Sequence, residues 1–220
     1  MGKVKLSKRL QTVADLVSQK RVCDIACDHG KVIAKLFEDN KIDYAIVSDI
    51  SEKCAIKAKE LLLGLGFANF QMRVGDGFES IYKDDEIQQV IISGLGGLEI
   101  IKILQNSDIQ PNSLIIQPQN HAVELKKYII NNGYNIVYDK IIYDEKYYNI
   151  FKVEKGVWRG VEFDLYFGKN NFINNADFSG YLIYLSEKII KFVGKLSGEK
   201  LDEYKKIMQY INIAKNKIGD

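Results

Sequence analysis

The chain has 220 residues, of which 46% are hydrophobic and 27% are charged, and it contains only two prolines. These totals predict one globular α/β domain with a small appendage and argue against long disordered linkers. A net charge of +2 identifies no nucleic-acid-binding protein by itself, so that class must be judged from where the charges lie.

The cysteines and the N-terminus predict a cytoplasmic protein. Cys23, Cys27 and Cys54 have neither CxxC spacing nor a matching histidine cluster, which argues against a disulfide framework and a zinc site. The opening MGKVKLSKRL lacks an apolar signal-peptide core, and no stretch reaches the roughly 20 apolar residues of a membrane span. We therefore expect reduced thiols, no metal and no membrane contact.

The first two thirds of the chain alternate between helical and strand-like patterns. Leu6, Leu10, Val13 and Val17 predict a short opening helix. Five short apolar runs follow, at residues 22–26, 44–48, 70–74, 89–93 and 113–117. Periodic segments such as EKCAIKAKELLLGLG and LEIIKILQNS lie between them, and this order is typical of a parallel sheet covered on both faces.

A closing antiparallel pair of strands is expected after the helix in HAVELKKYIINNGY. The two runs, residues 135–144 and 149–155, are separated by a few polar residues around Glu145 and Lys146. Seven strands with the last one reversed is the arrangement of class I methyltransferases, with their Rossmann-like sheet. An ordinary doubly wound fold would give nearly the same pattern, so the pattern alone does not separate the two.

Beyond about residue 156 the spacing predicts an antiparallel helical hairpin, a coiled coil in residues 156–220 next to a catalytic domain in residues 1–155. Apolar residues are spaced by three and four in two sets, with Ser197 and Gly198 between them: Phe178, Leu182, Leu185, Ile189, Phe192 and Leu196, then Leu201, Tyr204, Met208, Ile211, Ala214 and Ile218. The polar faces carry a net charge of +3. They can be a solvated surface or an RNA contact.

The turn after the first strand, DIACDHGK, is the most informative segment. Aligned with the methyltransferase pattern acidic-x-Gly-x-Gly-x-Gly, it gives Asp24, Ala26, Asp28 and Gly30, so only the last glycine is present. Two carboxylates at this turn would repel a pyrophosphate, whereas they suit a ligand with an ammonium and a sulfonium group. This favours S-adenosylmethionine over NAD. Alternatively, Asp28 only caps the following helix.

Two more acidic residues end the next strands. Asp49 lies twenty-five residues after Asp24, the spacing at which a carboxylate accepts hydrogen bonds from the ribose of an adenosine cofactor. Asp76 lies between Gly75 and Gly77 after the third strand and can accept a hydrogen bond from the adenine amino group. Three acidic strand ends in succession strengthen the prediction of an adenosine site.

The loops after the fourth and fifth strands are expected to face the same cleft. SGLGG, residues 93–97, lacks the Asn or Asp with paired prolines that often orients an exocyclic amine, and its glycines leave room for a bulky group. Gln117 and Pro118 end the fifth strand, and we expect Gln117 to face the cleft. His29 and His121 could contact ligand, although capping or surface roles are equally consistent with their positions.

Several motifs together resemble the TrmK family of bacterial tRNA adenine N1-methyltransferases: LSKRL, DIACDHG, SGLGG, QPQNHAVELKKYIINNGY and the final hairpin. The resemblance covers nearly the whole chain. It implies methylation of N1 of the adenine at tRNA position 22, a Rossmann-like catalytic domain and a C-terminal coiled coil. It further implies that Arg9 contacts the cofactor carboxylate or an RNA phosphate.

The residues expected at the site fall into three groups. Cofactor contacts are expected from Arg9, Asp24, Ala26, Asp28, His29, Gly30, Asp49, Ile50, Asp76, Gly77, Gly94, Leu95 and Gly96. Catalytic roles are expected for Asp28, Gly94 and Gln117. Contacts to tRNA are expected from Lys5, Lys8, Arg9, Lys188, Lys191 and Lys195, because the segment up to Arg21 has an excess of five positive charges and the hairpin adds more.

Adenine N1 has a free lone pair, so the expected transfer needs no general base and relies on positioning and charge stabilisation. The target base must leave its stack. Alternatives are a methyltransferase for a protein or small molecule and a binding module without turnover. A nicotinamide-dependent reductase is disfavoured because the glycine fingerprint is missing. We expect a monomer.

Overall fold

The computed structural model describes residues 4–173, 175–194 and 197–219. Lys195, an expected tRNA contact, and Leu196, expected in the hairpin seam, lie outside the described residues.

A seven-stranded sheet with the order β3-β2-β1-β4-β5-β7-β6 forms the centre of the structure. The strands are β1 Arg21–Ile25, β2 Tyr44–Asp49, β3 Phe70–Val74, β4 Gln89–Ser93, β5 Ser113–Gln117, β6 Tyr134–Asp144 and β7 Lys146–Lys155. The first five pair in parallel, whereas β7 runs antiparallel to both β5 and β6. The predicted class I methyltransferase arrangement is therefore confirmed. Glu145, with φ of +62°, makes the turn between β6 and β7.

Five helices cover the sheet: α1 Lys8–Asp15, α2 Lys31–Glu38, α3 Glu52–Gly64, α4 Gly97–Gln105 and α5 Ala122–Asn131. Two apolar clusters hold them there. One joins α1, α2 and α3 to the sheet through residues such as Val13, Leu36 and Leu62, and the other joins α4 and α5 through Ile100 and Leu125. The opening helix ends at Asp15, earlier than the expected Val17, although Val17 is buried as its spacing predicts.

The C-terminal region contains α6 Glu162–Phe167, α7 Ala176–Val193 and α8 Gly198–Gly219. The predicted hairpin corresponds to α7 and α8, which pack together through residues that include Phe178, Leu182 and Ile211. Two expected seam residues do not fit, since Phe192 is 50% exposed and Ile218 is 37% exposed. Each lies one residue before the end of its helix.

The hairpin shares a core with the rest of the molecule. Its apolar cluster includes Ile141 of β6, and Val123 of α5 packs against this cluster. Beneath it, the fully buried Lys126 of α5 forms an ion pair of 2.6 Å with Asp139 of β6 and donates to the carbonyl of Leu165 in α6 at 3.1 Å. Burial raises the pKa of Asp139, and the neighbouring Lys126 offsets part of that rise. The buried pair therefore links the C-terminal helices to the sheet.

Candidate active site

Two adjoining cavities lie beyond the carboxyl ends of β1, β2 and β4. Their volumes are about 450 Å³ and about 460 Å³, and both are lined by Ala26, Ile50 and Leu95. Together they form a cleft of the size that a nucleotide-sized ligand requires. In parallel α/β sheets this edge is where ligands bind, so the fold and the cavities indicate the same place.

The turn from β1 to α2 has the backbone that the three-glycine pattern requires. Ala26, Asp28 and Gly30 have φ angles of +57°, +49° and +65°, although only the last of them is a glycine. A left-handed conformation costs an alanine about 1 to 2 kcal/mol, whereas Asp tolerates it better. Gly30 is required, because a Cβ there would lie 2.8 Å from the Cβ of Ala58 in α3. The turn therefore places two residues other than glycine, Ala26 and Asp28, in the left-handed region.

Asp24, at the carboxyl end of β1, is a buried acid that lines the first cavity. It is 4% exposed, and no residue in the described part of the chain donates a hydrogen bond to its carboxyl group. Loss of solvent, together with the nearby charge of Asp49, raises the pKa of Asp24 to about 8. A cation that enters this cavity would restore the favourable environment of the ionised carboxylate.

Asp49 organises the base of the same cavity. Its two oxygens accept hydrogen bonds from the backbone N–H of Asp28 at 3.2 Å and of Ser51 at 2.9 Å. Ser51 in turn caps α3 by accepting from the N–H of Cys54. Each carboxylate oxygen can still accept a further hydrogen bond, so this fixed side chain suits a pair of ribose hydroxyls.

Asp28 and His29 form an exposed pair at the rim of the cavity. Asp28 Oδ2 lies 2.7 Å from His29 Nδ1, and His29 Nε2 lies 3.4 Å from Lys57 Nζ. The alternative that Asp28 caps α2 is wrong, because Gly30 occupies the N-cap position and α2 has no side-chain cap. The Asp28 carboxylate therefore stays available at the mouth of the cleft.

The second cavity holds the residues expected near adenine. Asp76 is exposed there, next to Gly77, whose φ is +56°. A Cβ on Gly77 would lie 2.6 Å from the Cγ2 of Ile103, so glycine is needed for this approach. Ile50, which is 70% exposed, forms part of the wall between the two cavities.

Arg9 reaches the first cavity from α1 and is held by partners far away in sequence. Its guanidinium donates to Gln117 Oε1 at 2.5 Å and to Ser93 Oγ at 3.3 Å, and it lies 5.3 Å from the ring centre of Tyr148. Its backbone N–H donates to Asp144 at 2.8 Å, and this bond lowers the pKa of the Asp144 carboxyl. The guanidinium is thus held at the wall of the first cavity.

The expectation that Gln117 faces the cleft is wrong. Its side chain is fully buried, accepts from Arg9 and from Ser93, and donates to the carbonyl of Pro118 at 2.9 Å. Because the side chain is buried and lines neither cavity, it is not placed to contact a substrate. Gln117 is a positioning residue that orients Arg9.

The glycine loop after β4 is only partly open. Gly94 has φ of +91° and lines the first cavity, as does Leu95. Gly97, by contrast, packs against the loop after β5, because a Cβ there would lie 2.5 Å from the carbonyl oxygen of Asn120. The room that the glycines were expected to provide is therefore available at Gly94 and filled at Gly97. Gly96 is the N-cap of α4 and lines neither cavity.

The lysines expected to contact RNA are divided between exposed residues on α7 and before α1 and one that is paired within the protein. Lys188 and Lys191 are exposed on α7, and Lys5 is exposed before α1. Lys8 instead forms an ion pair of 2.6 Å with Asp177 in the first turn of α7. The excess of positive charge before β1 is also divided, because Arg21 begins β1 at the edge opposite the cleft, with its guanidinium 2.8 Å from the carbonyl of Asp85.

Sequence reasoning missed Ser93, Asp144 and Tyr148, which together with Gln117 hold Arg9. No local pattern predicts their contacts with Arg9, since each contact joins segments at least 84 positions apart. Within the described ranges, no cluster of His, Cys, Asp and Glu has the geometry of a metal site. No helix there is long and apolar enough to cross a bilayer.

Comparison with known proteins identifies a family for this chain. Residues 6–151 match a family model described as a methyltransferase domain. The tRNA (adenine(22)-N(1))-methyltransferase of Bacillus subtilis (strain 168) is 32% identical over 163 residues, which cover 71% of this chain and 68% of the relative.

Solved structures extend the similarity to the C-terminal helices. TrmK of M. capricolum, in complex with S-adenosyl-homocysteine, is 26% identical with a TM-score of 0.85 and covers 97% of this chain and 99% of that one. The B. subtilis M1A22 tRNA methyltransferase TrmK is 25% identical with a TM-score of 0.79, covering 98% and 99%.

Proposed function

Because the chain belongs to the methyltransferase-domain family and, within it, to the tRNA (adenine(22)-N(1))-methyltransferases, we propose that it methylates N1 of adenine 22 in tRNA with S-adenosylmethionine. The observation that carries the proposal is the acidic cleft at the ends of β1 to β3. Asp24 and Asp49 line one half of it and Asp76 lines the other. The buried carboxylates of Asp24 and Asp49 suit a cationic nucleoside and disfavour a pyrophosphate.

The cleft residues divide between the two ends of the methyl donor. Adenosylmethionine supplies a methyl group on a positively charged sulfur. We assign Asp24 to its ammonium and Arg9 to its carboxylate, because these fixed opposite charges line the first cavity. Asp49 would accept from the ribose hydroxyls and Asp76 from the adenine amino group. Contacts along the donor are also proposed for other expected residues: Ala26, His29, Ile50, Gly77 and Leu95, which line the cleft, and Gly30 and Gly96, which lie in the adjoining turns.

The chain's contribution to the transfer is positioning and charge stabilisation. Adenine N1 has a free lone pair near neutral pH, so no side chain has to remove a proton first. Holding two reactants in register can supply up to about 7 to 11 kcal/mol. Positive charge appears on the adenine ring, and we propose that the exposed carboxylate of Asp28 and the backbone of Gly94 stabilise it. Residues 93–97 carry no amide or carboxylate side chain to hold an exocyclic amine, which favours N1, although the amide of Gln119 from the loop after β5 lines the same cavity.

Transfer of labelled methyl groups to an unmodified tRNA transcript tests the proposal. The purified protein should label a transcript with adenine at position 22 and leave the same transcript with guanine at that position unlabelled. Labelling that survives RNase treatment, or equal labelling of both transcripts, would point to another acceptor or another base.

We also propose residues 1–155 as the catalytic part and residues 156–220 as a tRNA contact, with Lys5 and Lys8 extending it. Because α6 and α7 share a core with β6, charge variants test this better than truncation. Replacing Lys188 and Lys191 by Gln should weaken tRNA binding and make it less dependent on salt. The slope of the logarithm of the binding constant against the logarithm of salt concentration should fall by about one for each phosphate that is no longer neutralised. Unchanged binding would make the helices structural only.

A cytoplasmic monomer stays a prediction. Light scattering of the purified protein, with and without tRNA, would test the oligomeric state.

A further inference from the structure

A second cleft, whose lining includes six aromatic rings, lies between the loop after β5 and the C-terminal helices. Its volume is about 550 Å³, and its wall includes Tyr147 of β7 with Tyr181 and Tyr184 of α7. Gln119 lines both this cleft and the first cavity of the candidate active site. The aromatic cleft is therefore separated from the proposed reaction site only by the loop of residues 118–121.

The tyrosines form a built and partly exposed array. The ring centre of Tyr147 lies 5.4 Å from those of both Tyr181 and Tyr184. Gly180 permits this packing, because a Cβ there would lie 2.5 Å from the Tyr147 hydroxyl. Tyr184 is 47% exposed. Part of a ring surface is thus held in place and left open to a ligand.

Basic residues surround the array. Lys146 and Lys188 line the cleft, against one acid, Glu124. Tyr181, Tyr184, Lys188 and Lys191 are spaced by three and four along α7 and so lie on one side of the helix. Within residues 4–173, 175–194 and 197–219, neither Lys146, Lys188 nor Lys191 forms an ion pair. Open aromatic rings beside unpaired lysines are the features that bind unpaired nucleotides.

Building on the proposed function, we infer that this cleft binds an unpaired nucleobase of the tRNA close to the target adenine. The base stacks on Tyr184 and Tyr147, and Lys146 and Lys188 meet the adjoining phosphates. The methylated adenine must leave its stack to reach the donor. A second base captured beside it keeps the strand open at that place. The array therefore positions the substrate and takes no part in the transfer itself.

Tyr184→Ala tests the role of the ring, with Tyr143→Ala as a matched control. Tyr143 is 48% exposed and its ring centre lies 5.0 Å from that of Tyr147, but it does not line the cleft. Loss of one base–aromatic stack should raise the KM for an unmodified tRNA transcript about 5- to 100-fold. The affinity for adenosylmethionine and the melting temperature should not change. Tyr184→Phe and Tyr143→Ala should stay within about twofold of wild type.

Removing single bases from the transcript identifies the partner of the ring. One abasic position near residue 22 should raise KM for the wild-type protein and have no further effect on Tyr184→Ala. In the wild-type complex, 2-aminopurine at that position should lose fluorescence by stacking, a readout that needs no variant. The inference would be wrong if Tyr184→Ala bound tRNA normally or if Tyr143→Ala were equally impaired. It would also be wrong if every abasic position raised KM by the same factor for Tyr184→Ala as for the wild-type protein. Failure of the wild-type protein to methylate tRNA would instead refute the proposed function.

Discussion

Replacing Asp24 by Asn should stabilise the ligand-free protein while it weakens the binding of adenosylmethionine. The carboxyl is 4% exposed and its pKa is raised from 3.8 to about 8, first by loss of solvent and second by Asp49. Between these two values the folded protein binds one proton more than the unfolded chain. Its stability therefore falls as pH rises from about 4 to about 8, by up to about 1.4 kcal/mol per pH unit.

The magnitude follows from the same shift. At pH 7 the raised pKa of Asp24 lowers the free energy of unfolding by about 4 kcal/mol, compared with a pH at which the carboxyl is protonated in both states. A buried amide in its place lacks a partner as well, which costs about 1 to 3 kcal/mol. The net gain expected for Asp24→Asn is therefore about 1 to 3 kcal/mol at pH 7, and it should shrink towards pH 5. Loss of the charged partner should weaken binding of the donor's ammonium by about 2 to 3 kcal/mol.

Urea unfolding of the ligand-free proteins from pH 5 to pH 9, followed by calorimetry of cofactor binding, measures both effects. Asp43→Asn is the matched control, because Asp43 is an exposed acid whose side chain is 69% accessible. It should shift stability by less than about 0.5 kcal/mol at every pH. The wild-type protein should bind adenosylmethionine more tightly at pH 7.5 than at pH 6, because Asp24 loses its proton more readily at the higher pH. A stability difference between Asp24→Asn and wild type that does not vary with pH would refute this reasoning.

Three further substitutions test other parts of the structure. Ala26→Gly should raise the free energy of unfolding by about 1 kcal/mol in thermal melts, because it relieves a left-handed alanine with φ of +57°; a loss of stability would show that the turn is not strained there. Asp49→Ala should weaken cofactor binding by about 2 to 4 kcal/mol in calorimetry, since two hydrogen bonds to the ribose are lost; unchanged affinity would remove Asp49 from the site. Lys126→Ala should destabilise the fold by about 3 to 5 kcal/mol in urea unfolding, because it leaves the buried Asp139 without its ion-pair partner; an effect below about 1 kcal/mol would mean that the pair contributes little.

The sequence was sufficient for the strands, the order of helices and the acids of the cleft, because these depend on local periodicity and on residues that directly follow a strand. Asp24, Asp49 and Asp76 all lie where that reasoning expected them. The anchoring of Arg9 could not be predicted in the same way. It depends on Gln117 and Asp144, which are 108 and 135 positions away, so no local pattern links them to Arg9.

The C-terminal region shows a different limit. The six residues of α6, EFDLYF, are too short to reveal a helical period, and four of them are buried under the hairpin. The hairpin was expected as a separate coiled coil because its two apolar stripes match each other. The structure adds Ile141 of β6 and the ion pair of Lys126 with Asp139 beneath it. Apolar spacing identifies a face to be buried, but it does not identify everything that covers that face.

The identity of the modified nucleoside is the most direct test of the central conclusion. A tRNA transcript methylated by the wild-type protein should be digested to nucleosides under conditions that prevent base-catalysed rearrangement, then compared with N1- and N6-methyladenosine standards by retention and fragmentation. We expect N1-methyladenosine alone, together with a stop of reverse transcription at position 22. N6-methyladenosine, or a methylated guanine or cytosine, would contradict it.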